Sequence, residues 1–205
     1  MSLVLLLIRH GETAWNAEGR FRGHIDVVLN QNGVKQAQAL ADAASPLLST
    51  SSIYSSPLQR CLATAEPLAR RLGIPIRTDA RLLDLHFGDW SGKLRDEVAE
   101  TYPAEYELWA TGDLTLQIPN GGSVQDACGR LQSFLGEVSE LHPEDTVAIV
   151  THEIMCQLGT CILLQRPLSE YPAARHDNGA FSVFRLDGGV AEAVGINQRP
   201  AIPAA

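Results

Sequence analysis

Cations are scarce in this chain, and lysine scarcest: Lys35 and Lys93 are the only two, and 16 Lys and Arg stand against 24 Asp and Glu for a formal net charge of -8. Such a balance excludes nucleic acid or an anionic membrane surface as the main partner, because both attract basic proteins. Any site for an anion must then be local. The two lysines also leave no G-x-x-x-x-G-K-[ST] phosphate loop, since Lys35 follows Val34 and Lys93 precedes Leu94. A G-x-S-x-G nucleophile elbow is missing too. Long apolar runs are absent. The opening one, Leu3 to Ile8, falls far short of a membrane span and lacks the charged leader of a secretory signal, so a cytoplasmic protein without membrane contact is expected.

Cysteine is sparse and unpatterned. Cys61, Cys128, Cys156 and Cys161 show no C-x-x-C spacing, and three of them fall on apolar helix faces, which reads as buried free thiols rather than a disulfide or metal set. His152-Glu153-Ile154-Met155-Cys156 comes near the H-E-x-x-H zinc signature. Cysteine replaces the second histidine, however, and the helix begins after the first histidine rather than before it. No metal and no cofactor are expected.

What the chain does have is two apolar runs that each stop at a histidine. Leu3 to Ile8 leads into Arg9-His10-Gly11-Glu12, and Thr146 to Val150 leads into Thr151-His152-Glu153. Continuous Val/Ile/Leu segments of this length suit strands covered on both faces of a parallel sheet, whose ligands bind beyond the carboxyl ends. The two histidines would share one rim. Asn32 to Ala44 has helical spacing, and Ile53 to Ser55 reads as a short strand. Ser56-Pro57-Leu58-Gln59 predicts a helix capped by Ser56, with proline at its first position, that ends at Gly73.

Further along, Ile74 to Arg77 predicts a strand, Leu94 to Ala110 a helix, and Ser123 the cap of a long helix reaching Leu141. Ile154 to Leu164 predicts another helix, and Ala180 to Leu186 and Val190 to Ile196 two strands meeting at Asp187-Gly188-Gly189. This alternation predicts an α/β fold, a three-layer αβα sandwich with a largely parallel central sheet. At 205 residues one domain suffices: residues 1–197, with a lid-like insertion at about 86–122 and a Pro/Ala tail at 198–205.

Arg60 falls in the first turn of the helix after Pro57, where the helix dipole disfavours a cation. Either a carboxylate or an anionic ligand compensates it, and Arg9, beside His10 at another strand end, favours the ligand. Leu7-Ile8-Arg9-His10-Gly11-Glu12-Thr13, followed by Trp15-Asn16, resembles the R-H-G-E signature of the histidine phosphatase superfamily, in its phosphoglycerate-mutase-like branch. Other segments match in order: Gly19-Arg20-Phe21 with Asp26, Leu29 and Gly33; Tyr54 to Arg60; Phe87-Gly88-Asp89-Trp90-Ser91-Gly92; and Thr151-His152. The similarity spans roughly residues 4 to 186, and several ordered motifs are more specific than one.

The resemblance implies a metal-independent phosphatase acting on a small phosphorylated metabolite, with His10 as the nucleophile that forms a phosphohistidine. Flanking arginines would keep the His10 imidazole unprotonated. Arg9, Arg60 and His152 would surround the equatorial phosphoryl oxygens, with a further hydrogen bond from Asn16. Asp84 stands where the family usually carries a glutamate that protonates the leaving oxygen and later activates water. Arg22, Gly23 and Phe87 are expected on the substrate side.

Several departures qualify the match. Glu153 replaces the family's glycine, and would either repel the phosphate or hold an arginine in place. Arg22 replaces a small or amide residue at the pocket mouth, where it would meet a second anionic group. Gly121-Gly122-Ser123 lacks the glutamate that commonly precedes this serine. Phe87 stands where the metal-independent phosphoserine phosphatases, otherwise similar in the middle portion, have a histidine. His176-Asp177-Asn178-Gly179 precedes a strand and either reaches the rim or only turns the chain.

Two alternatives stay open beside the phosphatase. A phosphoglycerate mutase is disfavoured because Lys93 and Arg95 are the only cations from residue 82 to 122. A non-catalytic phosphate-ligand binding protein on the same scaffold is the other. Monomer and homodimer are both compatible with the sequence.

Overall fold

A computed structural model describes residues 2–47 and 51–202. Its strands are β1 (Leu3–Arg9), β2 (Ser51–Ser55), β3 (Ile76–Thr78), β4 (Thr146–Thr151), β5 (Phe181–Asp187) and β6 (Val190–Gln198). They form one sheet in the order β3-β2-β4-β1-β5-β6. β1, β4, β2 and β3 run parallel, and β5 and β6 add an antiparallel margin. β5 and β6 are joined through Gly188 and Gly189, both at positive φ (56° and 85°), as a two-residue hairpin turn requires.

The helices are α1 (Ala14–Ala17), α2 (Gln31–Ala44), α3 (Gln59–Leu72), α4 (Arg95–Thr101), α5 (Pro103–Thr111), α6 (Val124–Leu141) and α7 (Glu153–Leu163). Strand side chains alternate between faces, which explains the uninterrupted apolar runs. Leu6 and Ile8 of β1, with Ala148 and Val150 of β4, pack against Leu40 of α2 and Ala65 and Leu68 of α3. Leu5 and Leu7, with Val147 and Ile149, face Leu131 and Phe134 of α6 and Met155 and Leu158 of α7. The expected three-layer sandwich is what the chain forms. No helix among the described residues is long and apolar enough to cross a membrane.

Three local expectations need correction. α3 begins at Gln59, with Leu58 at the cap position; Ser56 Oγ accepts only a long hydrogen bond from Leu58 N (3.5 Å) and lies closer, at 2.8 Å, to His152 Nε2. Asp26 takes over the capping task, accepting from Gln59 N at 2.8 Å. The helix predicted from Leu94 to Ala110 is two helices, because Tyr102 leaves helical geometry (φ -131°, ψ 59°) ahead of Pro103, which has no N–H to continue the ladder. β6 runs through Gln198, so the tail is shorter than expected, and residues 203–205 lie outside the described ones. The segment 86–122 sends Trp90, Val98, Leu116 and Ile118 into the larger core, where all are buried.

The loop after β1 is clamped by α2 and α3. Gly11 N donates to Thr64 Oγ1 (2.9 Å), Glu12 N to Gln36 Oε1 (2.7 Å), and Asn30 Nδ2 to Glu12 Oε1 (2.7 Å). Helix and loop touch so closely that a Cβ on Gly33 would lie 2.1 Å from the Glu12 carbonyl oxygen. Gly33→Ala is therefore expected to lower stability by about 1–3 kcal/mol, as overpacking does. Urea unfolding measures the loss, and activity should fall with it as the loop is pushed from its seat.

Candidate active site

Parallel pairing in register, with Arg9 opposite Thr151, delivers His10 and His152 side by side at the carboxyl ends of β1 and β4. Their rings lie 5.4 Å apart, centroid to centroid, and both are fully buried. β2, the other neighbour of β4, delivers Ser56 to the same end.

Partners settle the tautomers. His10 Nδ1 is 2.6 Å from the Gly11 carbonyl, which only accepts, so Nδ1 carries the proton and Nε2 keeps a free lone pair. Among the described residues no group bonds that Nε2. His152 Nδ1 is 3.2 Å from Arg60 Nη2, which only donates, so the proton of this ring sits on Nε2, facing Ser56 Oγ. Burial holds both rings well below the usual histidine value, and Arg60 is the next largest cause for each.

Arg60 itself is wholly buried. Its Nη1 donates to the Ile25 carbonyl (2.9 Å) and its Nη2 to that of Gly23 (2.7 Å), with Asp84 Oδ2 at 3.8 Å. Arg9 donates through Nη1 to the His176 carbonyl (2.6 Å) and pairs through Nη2 with Glu153 Oε2 (3.0 Å). Glu153 thus holds an arginine, one of the two possibilities for this departure. Arg22, expected at the mouth, is partly buried on the cavity wall, and among the described residues it bonds the Arg20 carbonyl alone (3.0 Å). Burial pulls its pKa to about 10, with Asp84 opposing. The Nε atoms of Arg9, Arg22 and Arg60 are all buried without a partner among the described residues, as is His10 Nε2.

Asp84 is buried, its Oδ1 accepting from Leu85 N (2.9 Å) and its Oδ2 3.9 Å from His152 Nδ1. Burial raises its pKa above the usual carboxylate range, against the pull of Arg60 and Arg22. Its own carbonyl is tied to His24 Nε2 (2.9 Å) and Arg130 Nη2 (3.2 Å).

A cavity of about 550 Å³ opens here, with Arg9, Asn16, Arg22, Asp84, Phe87 and Glu153 on its wall. Asn16 spends its Oδ1 on Thr13 N and Thr13 Oγ1, and so has its amide nitrogen to offer. Gly23 is not on the wall: it sits at φ 51° against Leu85 and Phe87 and serves Arg60 from behind. Phe21, Tyr106 and Trp109 supply aromatic surface, and Arg95 and Arg175 further charge. Ser56, Thr64 and Arg130 escaped the sequence reading, because each acts through a contact that no local pattern announces. Among the described residues no cluster of three or more His, Cys, Asp or Glu side chains could hold a metal ion.

Comparison with known proteins points the same way. The family model for the histidine phosphatase superfamily (branch 1) matches residues 5–199. Phosphoserine phosphatase 1 of Hydrogenobacter thermophilus is 34% identical over 183 residues, 89% of this chain and 86% of that protein. Glucosyl-3-phosphoglycerate phosphatase of Mycobacterium tuberculosis is 31% identical over 180 residues, covering 82% and 78%. The solved structure of the alpha-ribazole phosphatase from Shigella flexneri superposes with a TM-score of 0.83 at 28% identity, covering 98% of this chain and 99% of that one.

The neutral buried histidines tie stability to pH. Folded, His10 and His152 titrate well below 6.5; unfolded, near it. Below that pH the unfolded chain takes up protons that the folded chain refuses, so stability falls with acidification, while Asp84, with its raised pKa, acts in the opposite sense at lower pH. The urea midpoint should drop between about pH 7 and about pH 5, and His10→Asn should flatten that slope.

Proposed function

The chain belongs to the histidine phosphatase superfamily, and we propose that it acts without metal, through a phosphohistidine formed on His10. It is a phosphatase, a phosphoric monoester hydrolase. One observation carries the assignment of roles: a nucleophilic lone pair and three guanidinium N–H groups stand buried and unpartnered in one site. Each buried unsatisfied group costs roughly 1–3 kcal/mol, a cost that a bound phosphoryl group relieves.

In this scheme His10 Nε2 attacks phosphorus in line with the ester oxygen, forming the N–P bond as the P–O bond breaks. Asp84, whose pKa burial raises, gives a proton from its acid form to the departing alkoxide. As a carboxylate it then takes a proton from water, which attacks the phosphohistidine and releases phosphate. Three guanidiniums, one of them answered by Glu153, leave two positive charges for a phosphate dianion while Asp84 keeps its proton. Arg60 and His152 turn from Gly23 and Ser56 toward the equatorial oxygens, and Asn16 adds its amide donor.

The substrate is a small phosphorylated metabolite. A cavity of about 550 Å³ is in the range that encloses drug-sized ligands, and its aromatic wall favours an alcohol portion larger than serine, in the direction of the glucosyl-3-phosphoglycerate of the mycobacterial relative's name. Arg95 and Arg175 favour a second anionic group on it. Four buried free thiols suit the cytoplasm, where we place the protein.

Phosphate should be released from phosphomonoesters in the presence of chelator, His10→Ala should abolish release, and Asp84→Asn should lower kcat by about 10²–10⁴. Undiminished release by His10→Ala, or loss of activity to chelator, overturns the scheme. Isomerisation of 3-phosphoglycerate without free phosphate, followed by NMR, assigns a mutase instead.

A further inference from the structure

We propose that His176 is a positioning residue for catalysis, holding Arg9 on the phosphoryl group from outside the reacting shell. The inference rests on the role given to Arg9 above. Arg9 has two anchors, Glu153 and the backbone carbonyl of His176, and together they aim the unpartnered Nε. Glu153 is partly exposed, whereas the His176 carbonyl is an interior contact at 2.6 Å. What fixes the His176 peptide therefore fixes the arginine.

The His176 side chain is 2% exposed and bonded at both ring nitrogens. Ser182 Oγ accepts from Asn197 N (2.9 Å), which directs its own hydrogen to His176 Nε2 at 2.7 Å. Nδ1 then carries the ring proton and donates to the Ala174 carbonyl at 3.2 Å. Burial keeps the ring neutral by lowering its pKa. Asn197 adds a second clamp: its Oδ1 accepts from Asp177 N and its Nδ2 donates to Asp177 Oδ2, both at 2.8 Å. It does so from the left-handed region (φ 49°), which asparagine tolerates.

The same turn grips the nucleophile. Gly179 N donates to the carbonyls of Arg9 and His10 (3.2 and 3.1 Å), and Asn178 Nδ2 donates to that of His10 (3.1 Å). A mere turn needs no buried imidazole, because burying one costs free energy unless both nitrogens are satisfied. An apolar side chain fills such a space without that demand. The ring orients a carbonyl, and the carbonyl orients a guanidinium.

A double-mutant cycle tests this with Arg9→Ala, His176→Ala and the pair, reading kcat, KM and inhibition by orthovanadate. His176→Ala should raise KM and the vanadate inhibition constant by about tenfold, with a smaller change in kcat, as displacement of a substrate clamp does. In the Arg9→Ala background it should add nothing. His176→Gln, which keeps an acceptor for Ser182, should recover most of the loss. Should His176→Ala fail to fold, Ser182→Ala takes its place, with a rise in the same two constants expected.

Multiplying effects in the cycle, or unchanged vanadate inhibition in a folded His176 or Ser182 variant, overturns the proposal while leaving the phosphatase scheme intact. If Arg9→Ala itself alters neither constant, the role of Arg9 is wrong and the inference falls with it.

Discussion

A guanidinium sealed from water holds this site together. Arg60 sits in the first turn of a helix whose dipole opposes it, and burial of a charge is costly unless geometry and hydrogen bonds answer it. Asp26 answers at the helix terminus, Asp84 at 3.8 Å, and the carbonyls of Gly23 and Ile25 take two of its donors. Through these contacts one side chain ties the loop after α1, the start of α3 and the end of β4 into a single body. It also sets the state of the chemistry, since its field is the leading charge effect that keeps His10 and His152 neutral. Burial does most to keep the two imidazoles neutral, and the position of Arg60 adds to it.

Much of this was legible in the chain. Two apolar runs ending in histidine became neighbouring parallel strands, because runs without alternation have to be covered on both faces, and such strands end on a common rim. Arg60 in a first turn announced the need for a compensating partner, and the carbonyls of Gly23 and Ile25 and the carboxylate of Asp84 at 3.8 Å stand around it. What escaped depends on partners distant in sequence. Ser56 carries every local mark of a helix cap, yet its hydroxyl keeps only a long contact to Leu58 N (3.5 Å) and lies 2.8 Å from His152, 96 residues away. Glu153 had two opposed readings until Arg9 was placed 3.0 Å from it. Arg22 lay at the mouth by motif and in the wall by packing, since no local pattern says how deep a loop sinks.

Satisfied and unsatisfied groups lie side by side at the end of β1. Around the loop after β1, carbonyls and amides find partners in α2, α3 and the turn before β5. Inside it, His10 Nε2 and three arginine Nε atoms find none. Binding energy concentrated on groups whose alignment is already fixed is better directed to a transition state than to a flexible ground state. Rigidity of the surroundings and hunger of the centre are two sides of one design.

Cys61 shows what that insulation means beyond phosphate. Its sulfur lies 3.6 Å from His152 Nε2, and burial pushes its thiol up to about 12, so thiolate is essentially absent at neutral pH. Peroxides and alkylating agents act on thiolates within reach, and here they meet neither the charge nor the access they need. A sulfur placed against the His152 imidazole thereby stays chemically mute.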